Sequence, residues 1–302
     1  IMTVLLLGAI SVCIMSVSVA AGGRADDNEK LLFMEQVYRN TETNAVDTQD
    51  AQDRICEVLK KYVSHDIDGA MEIINSYWEA CPELRAGDAK SEYDLLEEYL
   101  NANNVFIYRD ETSKTEDERS VGSTDVQMNS VIIAYDQGNE DWIVTGGGYW
   151  INTNYLNDAP IVLVGSANVG GMDAIGFALM NTSGTTPTLL SCSGYVHNGF
   201  GGSIDLYNPA NANSSSGLVF QFQDYVEKID PFDSAYMGYG FAAQGVYSLN
   251  FYQYNGQARS YYAHSWNKNH INSIGVSTTG ITVSWTNSAY GWEVYNTSDT
   301  NF

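Results

Sequence analysis

The segment SCSGYVH contains Cys192 and His197, a cysteine and a histidine that are candidates for a catalytic nucleophile and its base. A cysteine nucleophile needs a base within hydrogen-bond reach, and usually a helix N-terminus that lowers its pKa. The surrounding residues predict a β-strand, in which a spacing of five places the two side chains on opposite faces. We therefore favour a half-buried structural cysteine over a catalytic dyad.

Asp224 and Glu227 belong to the densest run of acidic residues after residue 141. Paired carboxylates serve as acid and nucleophile in most glycosidases, which makes both residues catalytic candidates. Residues three apart on a strand do not share a face, however. The spacing therefore argues against a glycosidase pair.

His264 and His270 are six residues apart in the run HSWNKNH. If the chain turns between them, both imidazoles can reach one metal ion. No third ligand lies near them in sequence, so two exposed turn histidines are the preferred interpretation. The acidic run DQGNED at 136–141 offers oxygens to Ca²⁺ but lacks the EF-hand pattern. We predict a solvated turn there and no cofactor, with Ca²⁺ as the alternative.

Aromatic residues supply the remaining binding chemistry, since the chain has 21 tyrosines and six tryptophans. Exposed Trp and Tyr rings can stack on sugar faces, but the same residues also favour strands and cores. The candidates for glycan contact are Trp150, Tyr155, Tyr252, Tyr254, Arg259, Tyr262 and Trp266.

These candidates lie in residues 126–302, where apolar and polar residues alternate and turn residues are frequent. The pattern predicts about ten short strands in an antiparallel sandwich or jelly roll. Asn255-Gly256 between two β-rich runs predicts a type I′ hairpin that places Tyr252 opposite Arg259. A last hairpin is predicted to turn at 278–280.

Residues 21–125 form an acidic region with helical periodicity and a linker at 109–125. A short helix is suggested by Leu31, Leu32, Val37 and Tyr38. The clearest helix has its apolar face at Ile55, Val58, Leu59, Tyr62 and Val63. Another is expected from Asp66 or Asp68 to Cys81, and a third from near Asp88, with a strand at 105–108. The complete chain is thus predicted to be α+β, with a helical region before an all-β domain.

Cys56 lies near the start of one predicted helix and Cys81 at the end of the next. In an antiparallel helical hairpin these two positions are adjacent, so the sequence allows a disulfide between them. Two buried reduced thiols are the alternative.

Residues 1–20 resemble a secretory signal peptide that is truncated at its start. They are apolar and uncharged, and Ser18-Val19-Ala20 provides the small residues that signal peptidase requires, so we expect cleavage after Ala20. An uncleaved membrane anchor is the alternative. The expected location is therefore extracellular.

The formal net charge is −23, and after residue 141 the only basic residues are Lys228, Arg259 and Lys268. Binding to nucleic acid needs clustered Lys and Arg, so this class of partner is excluded, and anionic membrane surfaces are disfavoured. The acidic balance and the region rich in Tyr, Asn, Gly and Ser resemble secreted proteins of Gram-positive bacteria, without a motif of any named family.

Together these observations predict a non-catalytic extracellular binding module that contacts a surface or a glycan. One alternative is a secreted hydrolase acting on polysaccharide or peptidoglycan. Another is a secreted toxin or bacteriocin-like protein in which residues 21–125 are a pro-region. Clustered polar groups in a pocket would favour the hydrolase, and an exposed aromatic strip without such a pocket would favour the binding module. An amphipathic hairpin held back by the helices would favour the toxin.

Overall fold

The computed structural model describes residues 25–40, 48–82, 85, 91–108, 120–121, 125–160, 164–228, 234–267, 269–296 and 298–302. Within these ranges it combines five α-helices with mostly antiparallel sheets, which confirms the predicted α+β class. The predicted signal peptide at 1–20 and most of the predicted linker lie outside the described residues. None of the helices that the structure describes is long and apolar enough to cross a membrane.

The helices are α1 (Ala25–Asn40), α2 (Thr48–Val63), α3 (Ile67–Ala80), α4 (Glu92–Ala102) and the short α5 (Tyr155–Asp158). The apolar face predicted for α2 is buried, apart from the partly exposed Tyr62. Helix α3 begins after Asp66, whose carboxylate accepts a hydrogen bond from the Gly69 backbone. Helix α4 begins at Glu92, later than predicted, because Ser91 and Asp94 form a capping box there.

The strands are β1 (Val105–Ile107), β2 (Ser120–Val121), β3 (Val126–Asp136), β4 (Asp141–Trp150), β5 (Ser166–Gly184), β6 (Leu189–His197), β7 (Ser203–Leu206), β8 (Asn211–Asn213), β9 (Gly217–Lys228), β10 (Ser234–Met237), β11 (Gly240–Tyr247), β12 (Tyr254–Ser265), β13 (Ile271–Ser277), β14 (Gly280–Trp285), β15 (Gly291–Asn296) and β16 (Thr300–Asn301). Sheet A has the order β1-β3-β4-β11-β6-β7. Sheet B has the order β10-β9-β5-β12-β15-β2, with β8 added to β9 and β16 to β12.

Sheets A and B pack face to face as a sandwich. Alternate residues point between them and form the main apolar core, which includes the row Ile175, Phe177 and Leu179 on β5. Phe241 of sheet A stacks on Tyr262 of sheet B with ring centroids 3.9 Å apart. The period-two pattern of the sequence therefore predicted this core.

Helices α2, α3 and α4 cover the outer face of sheet A. Their buried side chains share one apolar cluster with Ala134, Ile143 and Val246 of that sheet. Strand β1, which precedes residue 125, pairs with β3 and so belongs to sheet A. The division of the chain into two domains at residue 125 stays a prediction.

The hairpin β13–β14 covers the outer face of sheet B. It pairs Ile274 with Val283 and Val276 with Ile281, which confirms the predicted last hairpin. Ile281 packs with small and apolar residues of sheet B, so this hairpin forms a fourth layer of the molecule.

The hairpin predicted at Asn255-Gly256 is wrong, because both residues lie inside β12. The pairing of β12 with β5 shifts between Asn255 and Gln257, which marks a bulge. A Cβ atom on Gly256 would lie 2.6 Å from the Met180 carbonyl oxygen. Glycine at this position therefore allows β12 and β5 to approach closely. Tyr252 lies in a 3-10 helix before β12 and is not paired with Arg259.

Candidate functional site

Three ionisable side chains of sheet B meet inside one end of the sandwich. Asp173 lies on β5, Asp224 on β9 and His264 on β12, and all three are fully buried. Each continues an inward-facing row of apolar residues with period two. The alternation that builds the core therefore also carries these polar groups into it.

The Asp173 carboxylate accepts hydrogen bonds from three donors. The Tyr262 hydroxyl lies 2.5 Å from Oδ2, and the Ser265 backbone N–H lies 2.9 Å from Oδ1. His264 Nδ1 lies 2.9 Å from Oδ2. A buried carboxylate requires such compensation, so this set of donors holds Asp173 in one orientation.

Asp224 accepts a hydrogen bond of 2.7 Å from the Tyr236 hydroxyl and a longer one of 3.4 Å from Gln223 Nε2. Burial, followed by the negative charge of Asp173, raises the pKa of Asp224 well above its usual range. Burial likewise raises the pKa of Tyr236, so its hydroxyl stays protonated and available as a donor. The protonated form of Asp224 is favoured in this setting.

Ligand atoms of Asp173, Asp224 and His264 all lie within 4.8 Å of one another. The preferred interpretation of two exposed turn histidines is wrong for His264, which faces the core, whereas His270 is exposed. No spacing in the sequence indicates Asp173 as a candidate, because no other ionisable residue stands near it in the chain. The available signal was a charged residue at an inward position of an apolar strand.

Aromatic rings enclose this cluster. The Trp150 ring lies 5.3 Å from the His264 ring, and the Trp292 ring lies 5.4 Å from it. Tyr155 stacks on Tyr236 with centroids 4.4 Å apart. These rings exclude water and so strengthen the electrostatic interactions inside the cluster.

Most aromatic candidates for glycan contact are therefore core residues. Four are buried and do not form an exposed strip, namely Trp150, Tyr155, Tyr254 and Tyr262. Arg259 is held by Asp299 through bonds of 2.6 and 3.0 Å, and Tyr252 accepts a bond from Gln253. Trp266 stays partly exposed.

Cys192 and His197 face opposite sides of β6, as the spacing predicted. Cys192 packs toward the core between the sheets, where burial raises its pKa. His197 faces the helical layer, with Nε2 2.9 Å from the Ser64 carbonyl oxygen and Nδ1 3.1 Å from the Gly199 N–H. Burial lowers its pKa, so the imidazole is a neutral structural group rather than a partner of Cys192.

The acidic candidates from the sequence also lie in different environments. Glu227 is exposed whereas Asp224 is buried, so the two do not form a glycosidase pair. Asp136 is buried and accepts hydrogen bonds from Gln52, Asn139 and the Gly138 backbone. The turn at 136–141 is therefore not simply solvated, because Asp136 ties helix α2 to it.

Cys56 and Cys81, both among the described residues, are free thiols in the structure, so of the two alternatives that the sequence left open the reduced thiols are present. Burial raises the pKa of Cys56 to about 12, which suppresses its thiolate at neutral pH. We expect iodoacetamide to modify Cys56 slowly in the native protein and fully in denaturant without reductant, as measured by mass spectrometry. If Cys56 and Cys81 needed reductant before reacting, the disulfide would be present after all.

The fold and the buried cluster define an antiparallel β-sandwich protein with helices on one sheet and an Asp–His–Tyr cluster at one end of its interior. No protein-family model matches the chain, and no curated protein matches it either.

Proposed function

We propose that this chain is a secreted, non-catalytic binding module that contacts a neutral glycan at one end of the sandwich. We call this the loop end: β4, β6, β9 and β12 finish there, and β5, β11 and β15 begin. Loops held by the ends of rigid strands are common positions for binding residues.

The observation that carries the proposal is a partly exposed aromatic group at the loop end. Trp266 and Trp292 both pack on the buried His264, and Tyr290 makes an edge contact with Trp266 at 6.3 Å. Rings fixed from below lose little entropy when a ligand stacks on them. Trp266 is also the one Trp among the glycan candidates from the sequence that keeps an exposed surface.

The polar groups around these rings suit hydroxyl recognition. Asn267 and Asn287 are exposed beside them, and Asn269 donates a 2.8 Å hydrogen bond that holds the Tyr290 carbonyl. Amides donate and accept at once, as sugar hydroxyls do. The scarcity of basic residues after residue 141 favours a neutral ligand over an anionic one.

The two alternatives receive less support from the geometry. Polar groups do cluster at Asp173, Asp224 and His264, but all three are fully buried, whereas a hydrolase must bring them to its substrate. Helices α2, α3 and α4 lie on sheet A and the β13–β14 hairpin lies on sheet B, so these helices do not hold this hairpin back. A binding module is therefore the preferred function.

We expect Tyr290→Ala to weaken glycan binding at least tenfold, because an exposed stacking ring is removed while the core is left intact. The measurement is a glycan array that includes peptidoglycan fragments, followed by titration of any ligand found. Tyr207→Ala is the matched control, since Tyr207 is 70% exposed and follows the edge strand β7 of sheet A. A silent array, or equal losses in both variants, would refute the proposal.

A further inference from the structure

We propose that Asp173, Asp224 and His264 together bind one divalent transition-metal ion on the inner face of sheet B, within the sandwich. The three residues come from the adjacent strands β9, β5 and β12, and their ligand atoms lie within 4.8 Å of one another. Two carboxylates and an imidazole are donors that Zn²⁺, Mn²⁺ and Fe²⁺ share. This inference is independent of glycan binding.

The spacing of the donors is close to that of ligands around one ion. With metal–ligand bonds of about 2.0–2.2 Å, neighbouring ligand atoms of a tetrahedral ion lie roughly 3.4 Å apart. His264 Nδ1 and Asp173 Oδ2 are already 2.9 Å apart. An ion bound here would replace the hydrogen bond between these two atoms, with the His264 proton carried on Nε2, and Asp224 would supply the third donor from within 4.8 Å.

The charges also fit a divalent cation. Two ionised carboxylates in a dry interior repel each other and are costly unless positive charge compensates them. A divalent ion would cancel both charges and leave His264 as a neutral ligand.

The surroundings resemble the support that metal ligands need. The Tyr262 hydroxyl and the Ser265 N–H hold Asp173, and the Tyr236 hydroxyl holds Asp224. Such hydrogen bonds orient carboxylate ligands and are typical of protein metal sites. An ion at this place would cross-link three neighbouring strands directly below Trp266 and Trp292 of the loop end.

The test uses the full chain after chelation and dialysis. We expect calorimetric titration with Zn²⁺ and with Mn²⁺ to show one site per chain for at least one of the two ions. Elemental analysis after removal of excess metal should return the same stoichiometry. Binding should also raise the melting temperature by several degrees, since a ligand that binds only the folded state stabilises it.

Asp224→Asn is the decisive variant, because it keeps the side-chain volume and removes one charged ligand. We expect it to weaken metal binding at least 100-fold, while Glu227→Gln, an exposed carboxylate on the same strand, leaves binding unchanged. Equal binding by Asp224→Asn and the native protein, or equal losses in both variants, would overturn the site.

The native protein alone provides a second measurement, in case Asp224→Asn does not fold. Titration with Co²⁺ should produce visible absorption bands of a coordinated ion, and Zn²⁺ should abolish them. If the native protein shows neither these bands nor any saturable metal binding, the cluster is a structural network of hydrogen bonds only. Glycan binding at the loop end would be unaffected by that result.

Discussion

Asp173→Ala is expected to lower the free energy of unfolding by about 3–5 kcal/mol, which is the range for breaking a buried charged network from one side. The substitution leaves the Tyr262 hydroxyl, the Ser265 N–H and His264 Nδ1 without their carboxylate acceptor. Each of these groups is fully buried and would pay its own cost of desolvation. Urea unfolding followed by tryptophan fluorescence measures the change.

The control for this experiment is Asp205→Ala. Asp205 is an exposed acid on the edge strand β7, with its carboxylate 3.8 Å from the Lys60 ammonium. Asp205 is itself exposed, and the buried Lys60 keeps its 3.1 Å hydrogen bond to Ser193 Oγ, so we expect a much smaller change in unfolding free energy than for Asp173→Ala. A loss below about 1 kcal/mol for Asp173→Ala would mean that water or a rearranged partner replaces the carboxylate, contrary to a dry, fixed cluster.

The sequence predicted the layers of this fold better than its polar interior. Period-two alternation identified the strands that build the sandwich, and 3.6-residue periodicity identified α2, α3 and α4. Both signals come from apolar side chains, which are buried in proportion to their area whatever their distant neighbours are. They are therefore readable from one segment at a time.

The hairpin predicted at Asn255-Gly256 is wrong because a local turn signal does not include contacts with residues distant in the chain. Asn-Gly favours a tight turn locally, but here the carbonyl of Gly256 accepts a hydrogen bond from Phe302 N–H, and its N–H donates to Phe302 in return. These contacts with Phe302 continue the strand through the bulge. Local turn preference is small compared with such tertiary pairing.

The buried cluster depends on contacts that segment-by-segment analysis does not contain. Asp173 is 91 residues before His264, so only the register of β5 with β12 reveals that the two meet. Asp224 and His264 are recognisable as candidates in the sequence, but as members of two unrelated sites. The registry of three strands, rather than any spacing along the chain, assembles them.

In helix α1 the apolar pattern likewise did not indicate the buried residue Lys30. The apolar residues suggested a face that included Leu32 and Tyr38, yet these are 53% and 45% exposed. The buried face is instead Lys30, Met34 and Val37, at spacings of four and three. A pattern search that counts only apolar residues cannot begin a buried face with a lysine.

The Lys30 ammonium is placed at the end of the sandwich core opposite the loop end. It donates hydrogen bonds to the carbonyl oxygens of Phe251 and Tyr254, and it lies 5.1 and 5.2 Å from the ring centroids of Phe251 and Phe302. Charge-assisted hydrogen bonds and desolvated cation–π contacts are among the stronger polar interactions in proteins. Lys30 therefore anchors α1 to the region before β12.

Lys30→Met is expected to lower the free energy of unfolding by about 3 kcal/mol, because the apolar stem is retained while two buried carbonyls lose a charged donor. Glu29→Gln, at the exposed neighbouring position of α1, serves as the control and should leave stability unchanged. Denaturant unfolding measures both, and hydrogen exchange of α1 should rise only in Lys30→Met. If α1 exchanged at the native rate in that variant, packing by Met34 and Val37 rather than the buried ammonium would hold the helix in place.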